Sequence, residues 1–166
     1  MKALNIDKET KEIVEKFGKT KEYLLPILQE LVAKKGYLTE QIMRDVAREM
    51  GLSSNEIYSV ASFYSFINTK PVGKYVIRIC KTISCELAGK DEIIEALEKH
   101  LKIKLGSTTD DKMFTLETTN CIGMCDQGPA MLINDKVYTK LDAKKAVEII
   151  NEYKSSLARK HVMFSL

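Results

Sequence analysis

Apolar residues in the first third of the chain recur at the spacing of amphipathic helices. Asp7 can cap a first helix, Gly36 ends a second, and a third runs between Thr39 and Gly51. The apolar positions of the second and third helices are Leu24, Leu25, Ile27, Leu28, Leu31, Val32, Ile42, Val46 and Met50. Because most of these positions fall three or four residues apart, one face of each helix is apolar. The pattern therefore predicts a small helical bundle.

A fourth helix is indicated by its start signal. Ser53 and Glu56 are spaced as a capping box, in which each side chain satisfies a backbone N–H group of the other residue. We expect this helix to occupy residues 54–65. Aromatic side chains are concentrated in and just after it, and we expect them to pack against the chain's own core or another protein: Tyr58, Phe63, Tyr64 and Phe66.

After residue 70 the pattern changes to alternating strands and helices. β-Branched residues between Lys74 and Cys80 predict a strand that ends at the first cysteine, and residues 85–100 carry the apolar face of a helix. We expect further strands over residues 103–105, 113–117, 130–133 and 136–138, and a last helix that starts at Asp142. This order of elements resembles a thioredoxin-like fold.

These patterns predict an α+β protein with three parts. Residues 1–70 form a helical bundle that we expect to be a docking domain, and residues 71–154 form a thioredoxin-like domain. Residues 155–166 show no convincing period, so we expect a tail that is disordered or docked on a partner.

Composition changes this picture only by excluding other classes of protein. The chain has 166 residues, 45% of them apolar and 30% charged, with a net charge of +3 whose signs are interspersed. No basic stripe favours nucleic acid, no apolar N-terminal segment resembles a signal peptide, and no run could span a bilayer. We therefore expect a cytoplasmic protein without nucleic-acid or direct membrane contact. Cysteines in that compartment indicate metal or redox chemistry, because structural disulfides are rare there.

The candidate chemistry lies in four cysteines. Cys80 and Cys85 form a C-x4-C pair, Cys121 and Cys125 form a C-x3-C pair, and the chain has no other thiol. Four thiolates fit a 2Fe–2S cluster, whose first ligand pair has this C-x4-C spacing in plant-type ferredoxins. They also fit structural zinc, although zinc favours C-x2-C pairs. Disulfides are the third interpretation, but neither pair has the C-x-x-C spacing of a redox-active dithiol.

The composition of the loops favours the cluster. Gly89, Gly123 and Gly128 allow the backbone to approach closely, so that N–H groups can reach negatively charged sulfur. Cys85 lies at the start of the predicted helix, where the helix dipole would favour a thiolate.

At this point the chain resembles a known family. The two cysteine loops, with Gly128 and Pro129 after the second, are similar to those of the thioredoxin-like 2Fe–2S subunit of the NADH dehydrogenase module. Residues 57–66 and 70–75 also match that family's helix and linker, and the resemblance spans about residues 24–153. It implies a 2Fe–2S cluster with Cys80, Cys85, Cys121 and Cys125 as ligands, and it suggests a cis peptide bond before Pro129.

The resemblance also implies partners. Such subunits work beside a flavoprotein subunit that binds FMN and NADH, and beside a larger iron–sulfur or hydrogenase subunit. The chain itself has neither the G-x-G-x-x-G motif nor a P-loop, so we expect the nucleotides on the partner. We expect a non-catalytic electron-transfer subunit of a soluble, electron-bifurcating NAD-linked hydrogenase. A subunit of complex I or of an NAD-dependent formate dehydrogenase is the alternative.

A hypothesis from another class is a redox-sensing regulator that binds DNA. The third and fourth predicted helices have the spacing of a helix-turn-helix, and an iron–sulfur site could sense redox state. However, residues 53–64, which would form the recognition helix, contain no lysine or arginine. Because phosphate contacts supply most of the non-specific affinity for DNA, this composition argues against the hypothesis.

Overall fold

The structure is a computed structural model that describes residues 6–162, with side chains described to residue 156. The chain divides between Val72 and Gly73 into two compact units, which we call unit 1 and unit 2 in chain order. Unit 1 is helical, and unit 2 contains a five-stranded sheet with helices. The protein is therefore of the α+β class.

The described residues of unit 1 form four α-helices and one short 3-10 turn. The helices are α1 Lys8–Phe17, α2 Leu24–Lys35, α3 Glu40–Met50 and α4 Ser54–Phe63, and the turn is Lys21–Tyr23. Their apolar faces meet in one core, formed by Ile13, Val14, Leu24, Ile27, Leu28, Leu31, Leu38, Met43, Val46, Ala47, Met50, Ile57, Ala61 and Ile67. The apolar spacing of the sequence predicts this bundle correctly, because burial of the stripes stabilises the helices.

The helix starts follow from local side-chain chemistry. The carboxylate of Asp7 accepts a hydrogen bond from the Thr10 amide at 3.1 Å and caps α1. Ser53 and Glu56 form the predicted capping box at the start of α4. This helix ends at Phe63, two residues before the predicted end.

The capping carboxylate of α4 also makes an ion pair. Lys21 Nζ lies 3.0 Å from Glu56 Oε1, while Glu56 Oε2 accepts from the Ser53 amide at 3.1 Å. The ammonium group of Lys21 is the largest of the causes that lower the pKa of Glu56 to about 2. Glu56 therefore links the start of α4 to the turn that precedes α2.

Unit 2 contains a mixed sheet of five strands. The strands are β1 Tyr75–Cys80, β2 Ser107–Thr108, β3 Phe114–Thr119, β4 Met131–Ile133 and β5 Lys136–Tyr138, in the order β2-β3-β1-β4-β5. The helices are α5 Ile83–Leu87, α6 Lys90–Leu101 and α7 Ala143–Val162. Strands β1 and β3 are parallel, and the other pairs are antiparallel.

The parallel pair sets the geometry of the site. Its register aligns Tyr75 with Phe114 at one end and Cys80 with Thr119 at the other. The carboxyl ends of β1 and β3 therefore lie at the same edge of the sheet. Buried apolar residues of the strands, the helices and one loop form the core of unit 2: Ile77, Ile79, Ile93, Leu97, Leu101, Phe114, Leu116, Met131, Ile133, Leu141, Ala146, Ile149 and Ile150.

Two predicted elements of unit 2 are wrong. The single helix expected over residues 85–100 is two helices, α5 and α6, because Gly89 between them has a φ of +93°, which a helix interior excludes. The strand expected over residues 103–105 does not form. There the Ile103 amide bonds to the Glu98 carbonyl at 3.2 Å and the Leu105 amide to Glu98 Oε1 at 2.8 Å, so this segment closes the end of α6.

The last helix is longer than the pattern indicates. The sequence predicts a tail from residue 155, whereas α7 continues to Val162. The rest of the predicted tail, residues 163–166, lies outside the described residues. Within residues 6–162, no helix has the length and apolar character needed to cross a membrane.

Candidate metal centre

The fold places the four cysteines at the edge of the sheet where β1 and β3 end. Cys80 is the last residue of β1, and Cys85 lies in the middle of the short helix α5. Cys121 follows the end of β3 by two residues, and Cys125 begins a 3-10 turn. Because β1 and β3 are parallel neighbours, the two cysteine loops that follow them begin side by side, although they are far apart in sequence.

Backbone and side-chain contacts join the two cysteine loops. The Lys81 amide donates to the Thr119 carbonyl at 2.9 Å, and the Cys80 amide donates to the Ala130 carbonyl at 3.1 Å. Cys80, Cys85 and Ala130 form a small buried apolar cluster against which Ile122 and Met124 pack. Side chains of the second loop thus cover the thiols of the first.

Each cysteine pair is compact. All four thiols are free, and the Sγ atoms of Cys121 and Cys125 lie 3.2 Å apart. The Gly123 amide donates to Cys121 Sγ at 3.4 Å, in a turn where Gly123 has a φ of +83° that suits glycine. In the first loop, Cys80 Sγ lies 3.2 Å from the hydroxyl oxygen of Thr82.

The two pairs differ in exposure to solvent. Cys80 is 2% exposed and Cys85 is 1% exposed. Cys121 and Cys125 are both exposed. The site therefore has a buried pair supported by the sheet and an open pair on a surface loop.

The pKa values of the buried pair move in opposite directions. Burial alone would raise the pKa of Cys80, but hydrogen bonds outweigh it, from the hydroxyl and amide of Thr82, the Cys85 thiol and the Ile122 amide. Its pKa is therefore lowered. The pKa of Cys85 is raised, first by burial and then by the neighbouring Cys80. The sequence predicts Cys85 at the first position of a long helix, whereas it is the third residue of the five-residue helix α5.

In the open pair, the pKa of Cys125 is raised. The hydrogen bond and the charge of the adjoining Cys121 are the largest causes, and smaller contributions come from burial and from the charges of Cys80 and Cys85. The buried pair and the open pair are thus close enough to interact electrostatically. A bound cation would relieve this repulsion, since thiolates are the form that binds metal.

The donor set consists of two neighbouring pairs of free thiols. In the described part of the chain, no group of three or more His, Cys, Asp and Glu side chains surrounds one point where a metal ion could bind. Thiolate pairs are the ligands of 2Fe–2S clusters, so the residues present fit such a cluster.

The structure also places Gly128, Pro129 and Lys90 around the thiols. A Cβ atom on Gly128 would lie 3.5 Å from Cys85 Sγ, so this glycine leaves room beside the thiol. The peptide bond between Gly128 and Pro129 is cis, as the resemblance suggested. Lys90 Nζ bonds to Asp91 at 2.6 Å, and the charge of Cys85 is one of the smaller causes that raise the pKa of Lys90.

Sequence reasoning missed Thr82 and Lys90. A signal for Thr82 was present, because a hydroxyl residue two positions after a cysteine can reach its sulfur. The signal for Lys90 was absent, since the helix break at Gly89 brings it near Cys85.

An iron–sulfur protein of thioredoxin-like fold is the class that this architecture and donor set define. The family model for the thioredoxin-like [2Fe-2S] ferredoxin matches residues 10–154. The chain belongs to this family, which spans both unit 1 and unit 2.

Named relatives are similar over most of the chain. The chain is 36% identical over 151 residues to a subunit of the NADH-quinone oxidoreductase of Buchnera aphidicola subsp. Acyrthosiphon pisum, with 91% of each chain covered. It is 40% identical over 132 residues to the protein of the same name from Rickettsia felis, with 78% of each chain covered.

A solved structure is similar in fold. The NAD+-reducing [NiFe]-hydrogenase in its H2-reduced state matches 83% of this chain with a TM-score of 0.72 and 28% identity. This chain spans only 23% of the hydrogenase chain that it matches.

Proposed function

We propose that the chain is an electron-transfer subunit that holds one 2Fe–2S cluster on Cys80, Cys85, Cys121 and Cys125. The observation that carries this proposal is the meeting of two thiol pairs at one edge of the sheet, fixed by the parallel pairing of β1 with β3. Membership of the thioredoxin-like [2Fe-2S] ferredoxin family supports the same cluster.

Each pair has a distinct role in this proposal. Cys80 and Cys85 would hold the cluster in the buried part of the site, and Cys121 and Cys125 would hold it near solvent. A 2Fe–2S cluster, when bound, accepts and returns one electron. Ile122 and Met124 keep water from the buried pair, and the Gly123 amide donates to the sulfur of Cys121.

The electrons come from a partner in this proposal. The names of the relatives link them to NADH or NAD+, which exchange hydride and therefore two electrons. This chain has no dinucleotide-binding motif, and a single 2Fe–2S centre takes one electron. We therefore place FMN and the NADH site on a flavoprotein subunit, which separates the two electrons. We also propose that the complex lies in the cytoplasm.

The terminal acceptor is a finer part of the proposal. A soluble electron-bifurcating hydrogenase is our first candidate. The likeness to an NAD+-reducing hydrogenase supports a hydrogenase partner, and electron bifurcation is a separate part of the proposal. The likeness to subunits of NADH-quinone oxidoreductases supports a complex I type of enzyme as the alternative. A formate dehydrogenase is a further alternative. Purification of the native chain with its larger iron–sulfur or hydrogenase subunit distinguishes them.

Unit 1 is the proposed docking element. Three aromatic side chains in α4 and just after it are exposed: Tyr58, Phe63 and Phe66, of which Phe63 is the most exposed at 79%. Tyr64, the fourth aromatic residue, is partly buried against the core. Exposed aromatic residues of this size are enriched at protein interfaces.

The same helix argues against a DNA-binding regulator. Its exposed side chains are neutral polar groups and aromatic rings, as at Asn55, Tyr58 and Ser59. A recognition helix without a positive charge offers no attraction to phosphate. A protein partner fits this face better than DNA.

The cluster assignment is tested by metal analysis of the anaerobically purified chain. We expect about two irons and two sulfides per chain and an S = 1/2 signal after reduction. Cys85→Ser and Cys125→Ser each lose that signal, whereas Ser84→Ala, a change between the cysteines of the first loop, keeps it. Stoichiometric zinc in protein made with ample iron would contradict the proposal.

A further inference from the structure

Thr82 occupies a helix-capping position without performing the usual capping role. It is the N-cap residue of α5, with φ −77° and ψ 159°, yet its side chain makes no capping hydrogen bond. Threonine in that position ordinarily accepts a hydrogen bond from an amide of the first turn. Its hydroxyl oxygen instead lies 3.2 Å from Cys80 Sγ.

We infer that Thr82 is a positioning residue whose hydroxyl donates a hydrogen bond to the sulfur of Cys80 and thereby raises the reduction potential of the cluster. This inference rests on the proposed function, because Cys80 must be a cluster ligand.

The direction of the hydrogen bond follows from the state of the sulfur. A cysteine that binds iron is deprotonated and can only accept, so the Thr82 hydroxyl is the donor. When a reductant adds one electron, the negative charge on the ligand sulfurs increases. A hydrogen bond to a more negative acceptor is stronger, so the donor stabilises the reduced form more than the oxidised form.

Burial strengthens this effect. Cys80 is 2% exposed, and Ile122 and Met124 pack over the pocket in which it lies. Electrostatic interactions are larger in such surroundings than in water. The open pair offers a contrast. The Gly123 amide nitrogen lies 3.4 Å from Cys121 Sγ, and Cys121 is exposed to solvent. The side chain of Thr82 is also a donor that a substitution can remove, unlike an amide.

The test is a redox titration of the full-length, cluster-loaded chain, in which the signal of the reduced cluster is measured at each potential. Thr82→Val removes the hydroxyl and keeps the shape, and we expect a lower midpoint potential with unchanged iron and sulfide content. A tenfold change in the ratio of reduced to oxidised cluster corresponds to about 59 mV for one electron. Thr82→Ser keeps the donor and should keep the wild-type potential.

A matched control makes the same chemical change elsewhere. Thr20 is also an N-cap residue whose side chain makes no capping bond, in unit 1. Thr20→Val should therefore leave the potential unchanged. A Thr82→Val chain with an intact cluster and the wild-type potential would overturn the inference, and so would an equal shift in Thr20→Val.

A second measurement covers the case in which Thr82→Val does not retain its cluster. In the reduced wild-type chain, hydroxyl protons exchange with solvent quickly, whereas amides held in the fold exchange slowly. In the magnetic resonance spectrum of the reduced cluster, we expect a coupling to the hydroxyl proton of Thr82. This coupling should disappear immediately after dilution into D2O. A spectrum without such a rapidly lost coupling would overturn the inference. A wild-type chain without iron would instead contradict the proposed function, so the two failures can be told apart.

Discussion

Unit 1 and unit 2 differ in their exposed aromatic side chains and in their cysteine content. Unit 1 contains no cysteine, and it carries the exposed aromatic residues Tyr58, Phe63 and Phe66. Unit 2 contains all four cysteines, and its exposed apolar side chains include Ile83 and Leu87 on the helix that holds Cys85. Under the proposed function, association and electron transfer can therefore be changed separately.

The largest expected effect breaks association alone. In the chain with Tyr58→Ser and Phe63→Ser, binding to the flavoprotein subunit should weaken by about 2 kcal/mol for each residue, roughly thirtyfold in Kd for each. The cluster signal should be unchanged. Association is measured by calorimetry or by co-purification of the subunits.

Two variants in unit 2 show whether the surface has been assigned correctly. Val137→Ser changes an exposed residue of the β4–β5 hairpin and should leave binding unchanged. Leu87, which is 83% exposed, is the strongest alternative candidate for a contact with the flavoprotein subunit. If Leu87→Ser abolished binding and the pair of changes in unit 1 did not, the docking surface would belong to unit 2.

An intermediate effect is expected within unit 2. In the cluster-free chain, Cys85→Ser places a hydroxyl group in a buried apolar pocket, which should lower the free energy of unfolding by about 1–3 kcal/mol. Cys125→Ser lies at the surface and should change it by less than about 0.5 kcal/mol. Urea unfolding under reducing conditions, followed by circular dichroism, measures both.

Hydrogen exchange then locates the loss of stability. Faster amide exchange in Cys85→Ser should be found in unit 2, with unit 1 unchanged. Equal losses of stability for Cys85→Ser and Cys125→Ser would mean that the difference in burial has no energetic weight.

The smallest effect concerns unit 1 and its dependence on pH. The pKa of Glu56 is lowered to about 2 from an ordinary value of 4.5, first by Lys21. The ionised carboxylate therefore stabilises the fold above about pH 4.5, and that contribution is lost as the pH falls towards 2. Glu56→Gln should flatten the decline in unfolding midpoint across this window, measured on the cluster-free chain.

A neighbouring glutamate provides the control. Glu22 is exposed in the 3-10 turn next to Lys21, and Glu22→Gln should keep the wild-type pH profile. A Glu56→Gln profile as steep as that of the wild type would show that the Glu56 carboxylate is not the source of the pH dependence.

The sequence predicted those features that depend on neighbouring residues. The caps at Asp7 and Ser53 follow from side chains three residues from their partners, and β1 follows from a run of β-branched residues. The break at Gly89 was missed because an isolated glycine also occurs inside helices. Strand β2 has only two residues, Ser107 and Thr108, which is too short for an alternating pattern.

For the site, spacing identified the four cysteines as candidates but not their environments. The burial of Cys80 and Cys85 depends on Ile122, Met124 and Ala130, which come from distant parts of the chain. The orientation of the Thr82 hydroxyl is set by the backbone between β1 and α5, for which the sequence offers no periodic signal.

The unequal burial of the two cysteine pairs has a consequence for the lifetime of the site. Cys121 and Cys125 face solvent, whereas the thiols of Cys80 and Cys85 lie beneath Ile122 and Met124. For the proposed cluster, iron, chelators and oxidants that arrive from solvent would therefore reach the open pair before the buried pair. A partner bound over the second loop would slow both the loading and the loss of iron.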